Sequence, residues 1–233
     1  MTLEVIVQNG AEAIEAEKMG AERLELVSAI QEGGLTPSYG TIKQVFSSVS
    51  IPVCVMIRPH SYHYLYSEAD LEVIHEDIKQ VLQLGGHHIV FGTLNSDRTI
   101  NEDVLQDVLN ISDDIHLTFH RAFDETASVI DAYQTLQKYN QVKRILTSGG
   151  AADCLTGQDN LQRLVQMENA EGGPRVMPGS GLSLENIGDI HETVQAHDYH
   201  FGKSVRIDQS FGNGFSKQAM KDIRMAINDK KSN

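Results

Sequence analysis

The chain has 233 residues, of which 40% are hydrophobic and 22% charged, and its formal net charge is −13. This length and composition predict a globular protein with a sizeable core, built as a single domain over residues 1–233. The acidic charge disfavours nucleic acids and anionic membranes as partners, because both are negatively charged themselves.

The first residues, MTLEVIVQNG, contain no basic segment, and their apolar stretch is too short for a signal peptide or a membrane span. The chain has two cysteines, Cys54 and Cys154, which are too few for a disulfide framework. We therefore expect a reduced protein in the cytoplasm.

Short apolar runs with strand character recur along the chain about 20 to 30 residues apart, which is the spacing of strands joined by helical crossovers. No low-complexity linker or change in composition divides them. Eight strands are predicted, at Leu3–Val7, Arg23–Val27, Pro52–Ile57, His88–Phe91, His116–Phe119, Arg144–Thr147, Arg175–Met177 and Tyr199–Phe201.

Helical patterns separate these strands. The clearest covers Glu68–Leu84, where apolar side chains recur at helical spacing. Asn101–Asn110 and Asp124–Tyr139 show the same spacing. Lys217–Asn228 predicts a last helix, and the charged tail at 228–233 is expected to fray.

Eight alternating strands and helices favour a closed barrel over an open doubly wound sheet, which usually has about five or six strands. The predicted fold class is therefore α/β, a single-domain (β/α)8 TIM barrel with parallel strands inside an outer ring of helices. In such barrels the active site lies at the carboxyl ends of the strands, so polar side chains there are the first candidates for function.

Four such side chains suggest chemistry. His120 is predicted to be a catalytic acid or base, because an imidazole titrates near neutral pH. Arg58 is a second predicted catalytic residue and could neutralise the charge of an anion, and Arg121 could bind an anion through two hydrogen bonds. Glu25, the third predicted catalytic residue, could carry a proton or orient an arginine.

A structural interpretation of the same residues is also open. Glu25 could pair with Arg23, and Asp124 with Arg121, as ion pairs that close the barrel mouth. If the residues instead form a binding site, Asp124 and His200 join Arg121 as candidate substrate-binding residues.

Two glycine-rich turns follow late strands. Each lies between a strand and a predicted helix, where unpaired backbone amides could hold a phosphate or a carboxylate. The alternative is a tight turn in which glycine only relieves backbone strain. The candidate anion-binding residues are Thr147, Ser148, Gly149 and Gly150 in the first turn, and Gly179, Ser180 and Gly181 in the second.

Cys54 and Met56 lie two residues apart and therefore on one face of the third strand. Thiolate and thioether ligands favour Cu(I), which makes this pair a candidate metal site. Core packing inside the barrel is the alternative. His60 and His63 add imidazoles in a tyrosine-rich segment, which we interpret as a solvent-facing loop.

Motifs along nearly the whole chain match a known family. They are Gly20–Leu26 (GAERLEL), Gly33–Ser38 (GGLTPS), Met56–Pro59 (MIRP), Leu65–Ser67 (LYS), Val90–Gly92 (VFG), Thr118–Asp124 (TFHRAFD), Ile145–Gly150 (ILTSGG) and Met177–Gly181 (MPGSG). On these motifs the chain resembles the copper homeostasis protein CutC family. The resemblance implies a TIM barrel, a cytosolic location, a homodimer or larger homo-oligomer, and copper as cargo or cofactor.

The chain departs from the family pattern where copper is concerned. The resemblance implies a pair of Cu(I)-binding cysteines in some members, at the positions that are Ile6 and Val27 here. The acidic position of the family in the loop after Pro59 is His63 here. The polar residues of the predicted barrel mouth match the family instead: Glu25, Arg58, His120, Arg121, Asp124 and His200.

Two hypotheses of function follow. The resemblance implies a cytosolic protein of copper homeostasis that binds Cu(I) weakly or acts indirectly. The barrel-mouth residues favour an enzyme acting on a small anionic substrate such as a phosphorylated one, with His120 moving a proton and the glycine-turn amides holding the anion. A binding protein without turnover is a third alternative. The expected partner is a copper ion or a small anionic ligand.

Overall fold

Eight strands form where the apolar runs predict them, each boundary lying within two residues of its predicted position. The structure is a computed structural model and describes residues 1–228, so the tail predicted to fray lies outside the described residues except for Asn228. The strands are β1 Thr2–Val7, β2 Arg23–Leu26, β3 Val53–Met56, β4 His88–Phe91, β5 His116–Phe119, β6 Val142–Thr147, β7 Arg175–Pro178 and β8 Asp198–Phe201.

All neighbouring strands pair in parallel, in the order β7-β6-β5-β4-β3-β2-β1-β8. The two ends of this order approach each other, because Gly179 after β7 forms a parallel bridge with His200 of β8. The sheet is thereby nearly closed, and the predicted (β/α)8 barrel is confirmed.

Eight α-helices surround the barrel. They are α1 Gly10–Lys18, α2 Tyr39–Phe46, α3 Glu68–Gln83, α4 Glu102–Leu109, α5 Val129–Leu136, α6 Gln158–Glu171, α7 Leu184–Val194 and α8 Lys217–Asn228. Within residues 1–228, no helix combines the length and the apolar character needed to cross a membrane.

The single helix predicted at Asp124–Tyr139 is wrong at its start. Arg121–Glu125 forms a short 3-10 helix, and α5 begins only at Val129. The interruption has a local cause, because the Ser128 side chain accepts a hydrogen bond from the Asp131 amide and so caps a new helix.

The main apolar core lies between the strands and the helices. In β1, for example, Leu3, Val5 and Val7 belong to this core, whereas the alternate residue Glu4 points into the barrel. This alternation places polar side chains inside the barrel, where they must find partners.

A layer of buried charges fills the amino-terminal half of the barrel. Arg23 forms an ion pair with Glu4 and a second one, at 3.1 Å, with Asp198. Arg144 reaches the same Asp198 oxygen at 2.9 Å. The structural pair expected between Arg23 and Glu25 is therefore wrong, because Arg23 is held by carboxylates from β1 and β8 instead.

We predict that Asp198→Asn lowers the free energy of unfolding by about 3–5 kcal/mol, since it leaves buried guanidinium groups without their shared counter-ion. Chemical denaturation at neutral pH measures this difference. Asp113→Asn is the matched control, because Asp113 is exposed, and it should change the free energy by less than about 0.5 kcal/mol. Equal stability of the two variants would contradict a stabilising role for the charge layer.

Candidate functional site

A cavity of about 330 Å³ opens at the carboxyl ends of the strands. Four of its lining residues come from strand ends that the sequence analysis identified: Glu25 in β2, His200 in β8, Arg58 two residues after β3 and His120 directly after β5. The second glycine turn contributes Ser180 and Gly181. The structure thus brings all three predicted catalytic residues to one cavity.

Glu25 is a buried carboxyl group with one oxygen left free. Its Oε2 lies 3.7 Å from Nε2 of His200, whereas Oε1 has no hydrogen-bond partner among the described residues. Burial raises the pKa of Glu25 to about 7, with His200 partly offsetting the rise and Glu4 adding to it. Glu25 can therefore both give and take a proton near neutral pH.

His200 is oriented from behind by Glu4. Its Nδ1 donates a hydrogen bond to Oε1 of Glu4 at 2.8 Å, which turns Nε2 toward Glu25. Burial lowers the pKa of His200, but the charges of Glu25 and Glu4 more than offset this and raise it. Burial also raises the pKa of Glu4, yet Arg23 and His200 together hold it well below its ordinary value.

His120 is neutral in this environment. Its Nδ1 accepts a hydrogen bond from the Ala122 amide at 3.2 Å, so Nε2 carries the proton of the neutral ring. Burial, with a smaller contribution from Arg58, lowers the pKa of His120 to about 3. The buried Nε2 has no partner among residues 1–228. His120 is thus suited to donate a hydrogen bond, whereas Glu25 is the group that titrates near neutral pH.

Arg58 is a buried cation without an anionic partner. Its guanidinium donates to backbone oxygens of Gly34 at 3.4 Å and Ser61 at 3.3 Å and lies over the Tyr64 ring, 4.8 Å from the centroid. No carboxylate oxygen of residues 1–228 lies within 4.0 Å of its guanidinium nitrogens. Its Nε has no hydrogen-bond partner among the same residues. A buried guanidinium of this kind is suited to bind a carboxylate or phosphate of a ligand.

The first glycine turn already holds an anion, which is the carboxylate of Asp124. Asp124 accepts hydrogen bonds from the amides of Ser148 and Gly150, both at 3.0 Å. The Gly149 amide donates to Thr147 Oγ1 at 2.8 Å, and α6 begins only at Gln158. The amides predicted to bind an external anion at this turn are thus occupied from within the chain.

The expected Arg121–Asp124 ion pair is present at 2.8 Å, as the structural interpretation predicts. Nη2 of Arg121 also donates to Ser148 Oγ at 3.0 Å. Arg121 nevertheless lines the cavity with part of its surface. It therefore joins the Asp124 turn to the cavity wall.

The second glycine turn faces the cavity directly. Ser180 and Gly181 line it, and Ser180 adopts a φ of 92°, a left-handed conformation that a side chain disfavours. Within the described part of the chain, the amide of Gly181 donates no hydrogen bond, whereas that of Gly179 donates to the Thr147 carbonyl oxygen at 3.0 Å. Of the two turns, this one presents backbone to a ligand.

Cys54 and Met56 lie inside the barrel in a small apolar cluster with Val27 and Val90, and Ile6 packs against it. Cys54 is fully buried, and its Sγ lies 4.0 Å from Oε2 of Glu4. Burial raises the pKa of the Cys54 thiol, and Glu4 adds to the rise. Both cysteines of the chain are free and buried.

The tyrosine-rich loop is only partly exposed. His60 stacks on Tyr62 with ring centroids 5.2 Å apart and contacts His63 edge-on at 5.0 Å. His63 is exposed, as predicted, whereas Tyr64 reaches over Arg58 and contacts the His120 ring at 4.9 Å. Sequence reasoning did not identify Tyr64 as a site residue. The signal that could have indicated it is an aromatic residue in the loop that follows Arg58 at the end of β3.

Fold and site together define a class: a single-domain (β/α)8-barrel protein with a buried, partly unsatisfied polar cavity at the carboxyl ends of its strands. Residues 1–205 match the family model described as the CutC family. The chain therefore belongs to the CutC family.

Similar proteins agree with this assignment. A human protein named copper homeostasis protein cutC homolog is 39% identical over 198 residues, covering 85% of this chain and 71% of the human one. A homolog of the same name from Dictyostelium discoideum is 34% identical, covering 84% and 80%. The crystal structure of a copper homeostasis protein CutC from Streptococcus agalactiae superposes with a TM-score of 0.79 at 27% identity, over 87% of this chain and 98% of that one.

We predict that Glu25 titrates near pH 7. Its pKa is raised in the folded chain, so the protonated form stabilises the fold at low pH, and this contribution of about 3 kcal/mol is lost as the pH rises from about 5 through 7. Carbon-13 NMR of labelled carboxyl groups measures the midpoint directly.

Chemical denaturation against pH measures the same effect as a change in stability. Glu25→Gln should remove that part of the pH dependence, whereas Glu72→Gln, at an exposed position, should leave it unchanged. A midpoint for Glu25 near 4.5 would show that the cavity does not perturb it.

Proposed function

We propose that this chain is an enzyme that transfers a proton on a small anionic substrate bound in the cavity at the carboxyl ends of the strands. The observation that carries the proposal is the set of three buried, unsatisfied groups that line one cavity. They are the Arg58 Nε hydrogen, the His120 Nε2 hydrogen and the Glu25 Oε1 oxygen. Buried polar groups are rarely left unpaired, and such exceptions concentrate at functional sites.

The three groups have complementary roles. Arg58 would bind the carboxylate or phosphate of the substrate, because it is a permanent cation that forms no ion pair with a carboxylate of residues 1–228. His120, neutral and with its hydrogen on Nε2, would donate a hydrogen bond to a carbonyl or hydroxyl oxygen as charge develops there. Glu25 would take or return the proton, because its pKa of about 7 matches the working pH.

The residues behind Glu25 support this role. His200 lies 3.7 Å from Glu25, and its raised pKa makes it a positive neighbour for the carboxylate when Glu25 has lost its proton. Glu4 fixes the His200 ring by its hydrogen bond. The amide of Gly181 and the Ser180 turn, which also line the cavity, would add donors.

We expect the protein to catalyse exchange of a carbon-bound hydrogen next to a carbonyl in a small phosphorylated or carboxylated substrate. A panel of such compounds incubated with the protein in D2O, and followed by proton NMR, measures this exchange. Glu25→Gln should slow the exchange about 10²–10⁴-fold, the usual contribution of a general acid or base. Arg58→Gln should mainly raise the substrate concentration that gives half-maximal exchange.

Controls separate chemistry from folding. Glu72→Gln, at an exposed position on α3, should retain full activity, and every variant should be compared at equal folded fraction by thermal unfolding. Exchange that survives in Glu25→Gln would exclude Glu25 as the proton carrier. A panel in which no compound is exchanged, and none raises the melting temperature, would count against a small anionic substrate.

Cu(I) binding is a second candidate function, and one observation favours it. The positions at which the family resemblance implies cysteine ligands, Ile6 and Val27 here, lie in the same cluster as Cys54 and Met56. This chain therefore keeps one thiol and one thioether at the place where relatives would have a thiolate pair. Both are soft ligands suited to Cu(I).

An anaerobic titration of the reduced protein with Cu(I) against a competing chelator tests this candidate. If Cys54 holds the ion, Cys54→Ser should abolish stoichiometric binding, and Cys154→Ser should not, because Cys154 is the other free, buried cysteine. No competition by the parent protein would exclude tight Cu(I) binding. Binding that both variants retain would place copper elsewhere.

We also propose a cytoplasmic location and a homodimer or larger homo-oligomer. Both are supported by the family resemblance rather than by a contact within the chain. Cell fractionation and light scattering coupled to size-exclusion chromatography measure them directly. A monomer at micromolar concentration would contradict the second proposal.

A further inference from the structure

A second cavity, of about 450 Å³, lies at the opposite end of the barrel. His88 and His116, which line it, are the first residues of β4 and β5, and Arg175 is the first residue of β7. It therefore opens at the amino-terminal ends of the strands, away from Glu25 and Arg58. Neither the family resemblance nor the proposed function uses this end of the barrel.

The charge of this cavity is opposite to that of the chain. Lys143, Arg144 and Arg175 line it together with two histidines, and no aspartate or glutamate is among its described lining residues. The chain as a whole carries a net charge of −13. A concave basic region on an acidic protein concentrates anions from solution.

One carboxylate beneath the cavity, that of Asp198, is shared by several arginines. Asp198 is fully buried and faces three arginines: Arg23 at 3.1 Å, Arg144 at 2.9 Å and Arg175 at 3.6 Å. Three guanidinium groups share the Asp198 carboxylate, and among residues 1–228 only Arg23 has a second carboxylate as ion-pair partner, that of Glu4. Among residues 1–228, the three guanidinium groups therefore outnumber the two carboxylates, Asp198 and Glu4, with which they form ion pairs.

The pKa values of the two histidines are lowered by burial and by the same basic groups. Burial, with smaller contributions from His116 and Arg144, lowers the pKa of His88 to about 4. Burial, Lys143 and Arg144 likewise lower the pKa of His116. Both rings are neutral at pH 7, and Nδ1 of His88 is buried without a partner in the described part of the chain. A neutral ring with a free nitrogen can hydrogen-bond a ligand without adding to the field.

We infer that this amino-terminal cavity, formed by His88, His116, Lys143, Arg144 and Arg175, is a binding site for a small organic anion with two or more negative groups. Arg144 and Arg175 offer guanidinium hydrogens that fit the oxygens of a carboxylate or a phosphate, and Lys143 adds an ammonium group at the rim. The cavity is larger than the one at the carboxyl ends of the strands, so it has room for more than a single inorganic ion. The site is separate from the proposed catalytic cavity, so the two proposals can fail independently.

Calorimetric titration with pyrophosphate and with citrate tests the inference, because the two probes separate phosphate from polycarboxylate recognition. The test variant is Lys143→Gln with Arg175→Gln, since both side chains are exposed and the closer ion-pair partners of Asp198 stay intact. The matched control is Arg163→Gln with Lys221→Gln, which removes the same charge from exposed positions on α6 and α8.

We expect the parent and the control to bind at least one probe, and the test variant to bind it about tenfold or more weakly, since two charge-assisted contacts are lost. The binding should also weaken as salt is added. An unchanged melting temperature of the test variant would show that the loss of binding comes from the substituted side chains and not from unfolding.

Three results would overturn the inference. One is no binding of either probe by the parent at millimolar concentration in low salt. Another is equal affinity in the test variant and the control. The third is binding that Arg58→Gln abolishes and the test variant retains, because the anion would then occupy the other cavity.

Discussion

The buried ion pair between Arg23 and Glu4 is the interaction on which the barrel interior depends. Burying either charge alone would cost several kcal/mol, so each requires the other. Arg23 reaches Asp198 on β8 as well, and Glu4 accepts a hydrogen bond from His200. Strands β1, β2 and β8 are thereby tied together across the interior, where an apolar barrel would rely on packing alone.

This charge layer determines the chemistry above it. Because Arg23 and His200 hold Glu4 ionised, Glu4 in turn keeps a proton on His200 and directs its Nε2 toward Glu25. Glu25 has no arginine of its own, so burial dominates and raises its pKa to about 7. Two glutamates near the same histidine, Glu4 on the adjacent strand β1 and Glu25 one strand further on β2, thus acquire opposite tendencies. Glu4 is anionic, and Glu25 at the cavity can hold a proton.

The fold was predictable from the sequence because strand and helix periodicities are local. Apolar runs located all eight strands, and parallel pairing places Glu25, Arg58, His120 and His200 at the same end of the barrel. The charge layer was not predictable in this way. Its pairs join residues 19 and 175 positions apart, and the alternation of β1 does not reveal that Glu4 faces inward rather than toward solvent.

The chemical roles of the site residues could not be predicted from sequence spacing, because they depend on contacts that form only in the folded chain. A histidine after a strand predicts a proton carrier, but the hydrogen bond from the Ala122 amide and complete burial make His120 a neutral donor. The first glycine turn predicts an anion site, and it is one, but Asp124 occupies it. For His120 the deciding contact is two residues away along the chain, whereas for the glycine turn it comes from a residue 24 to 26 positions earlier. In both cases a contact made on folding determines which of two chemically reasonable roles the residue takes.

The two candidate functions compete for one region, since Met56 belongs both to the cluster around Cys54 and to the wall of the cavity. A free thiolate at Cys54 would add a negative charge beside Glu4. Burial and the charge of Glu4 both oppose this thiolate, because both raise the pKa of the Cys54 thiol. Cu(I) would replace the thiol proton by another single positive charge, so the net charge around Glu4 would stay the same. Copper bound there would therefore preserve the field that raises the pKa of Glu25, and it would alter the cavity chiefly through the shape and position of Met56.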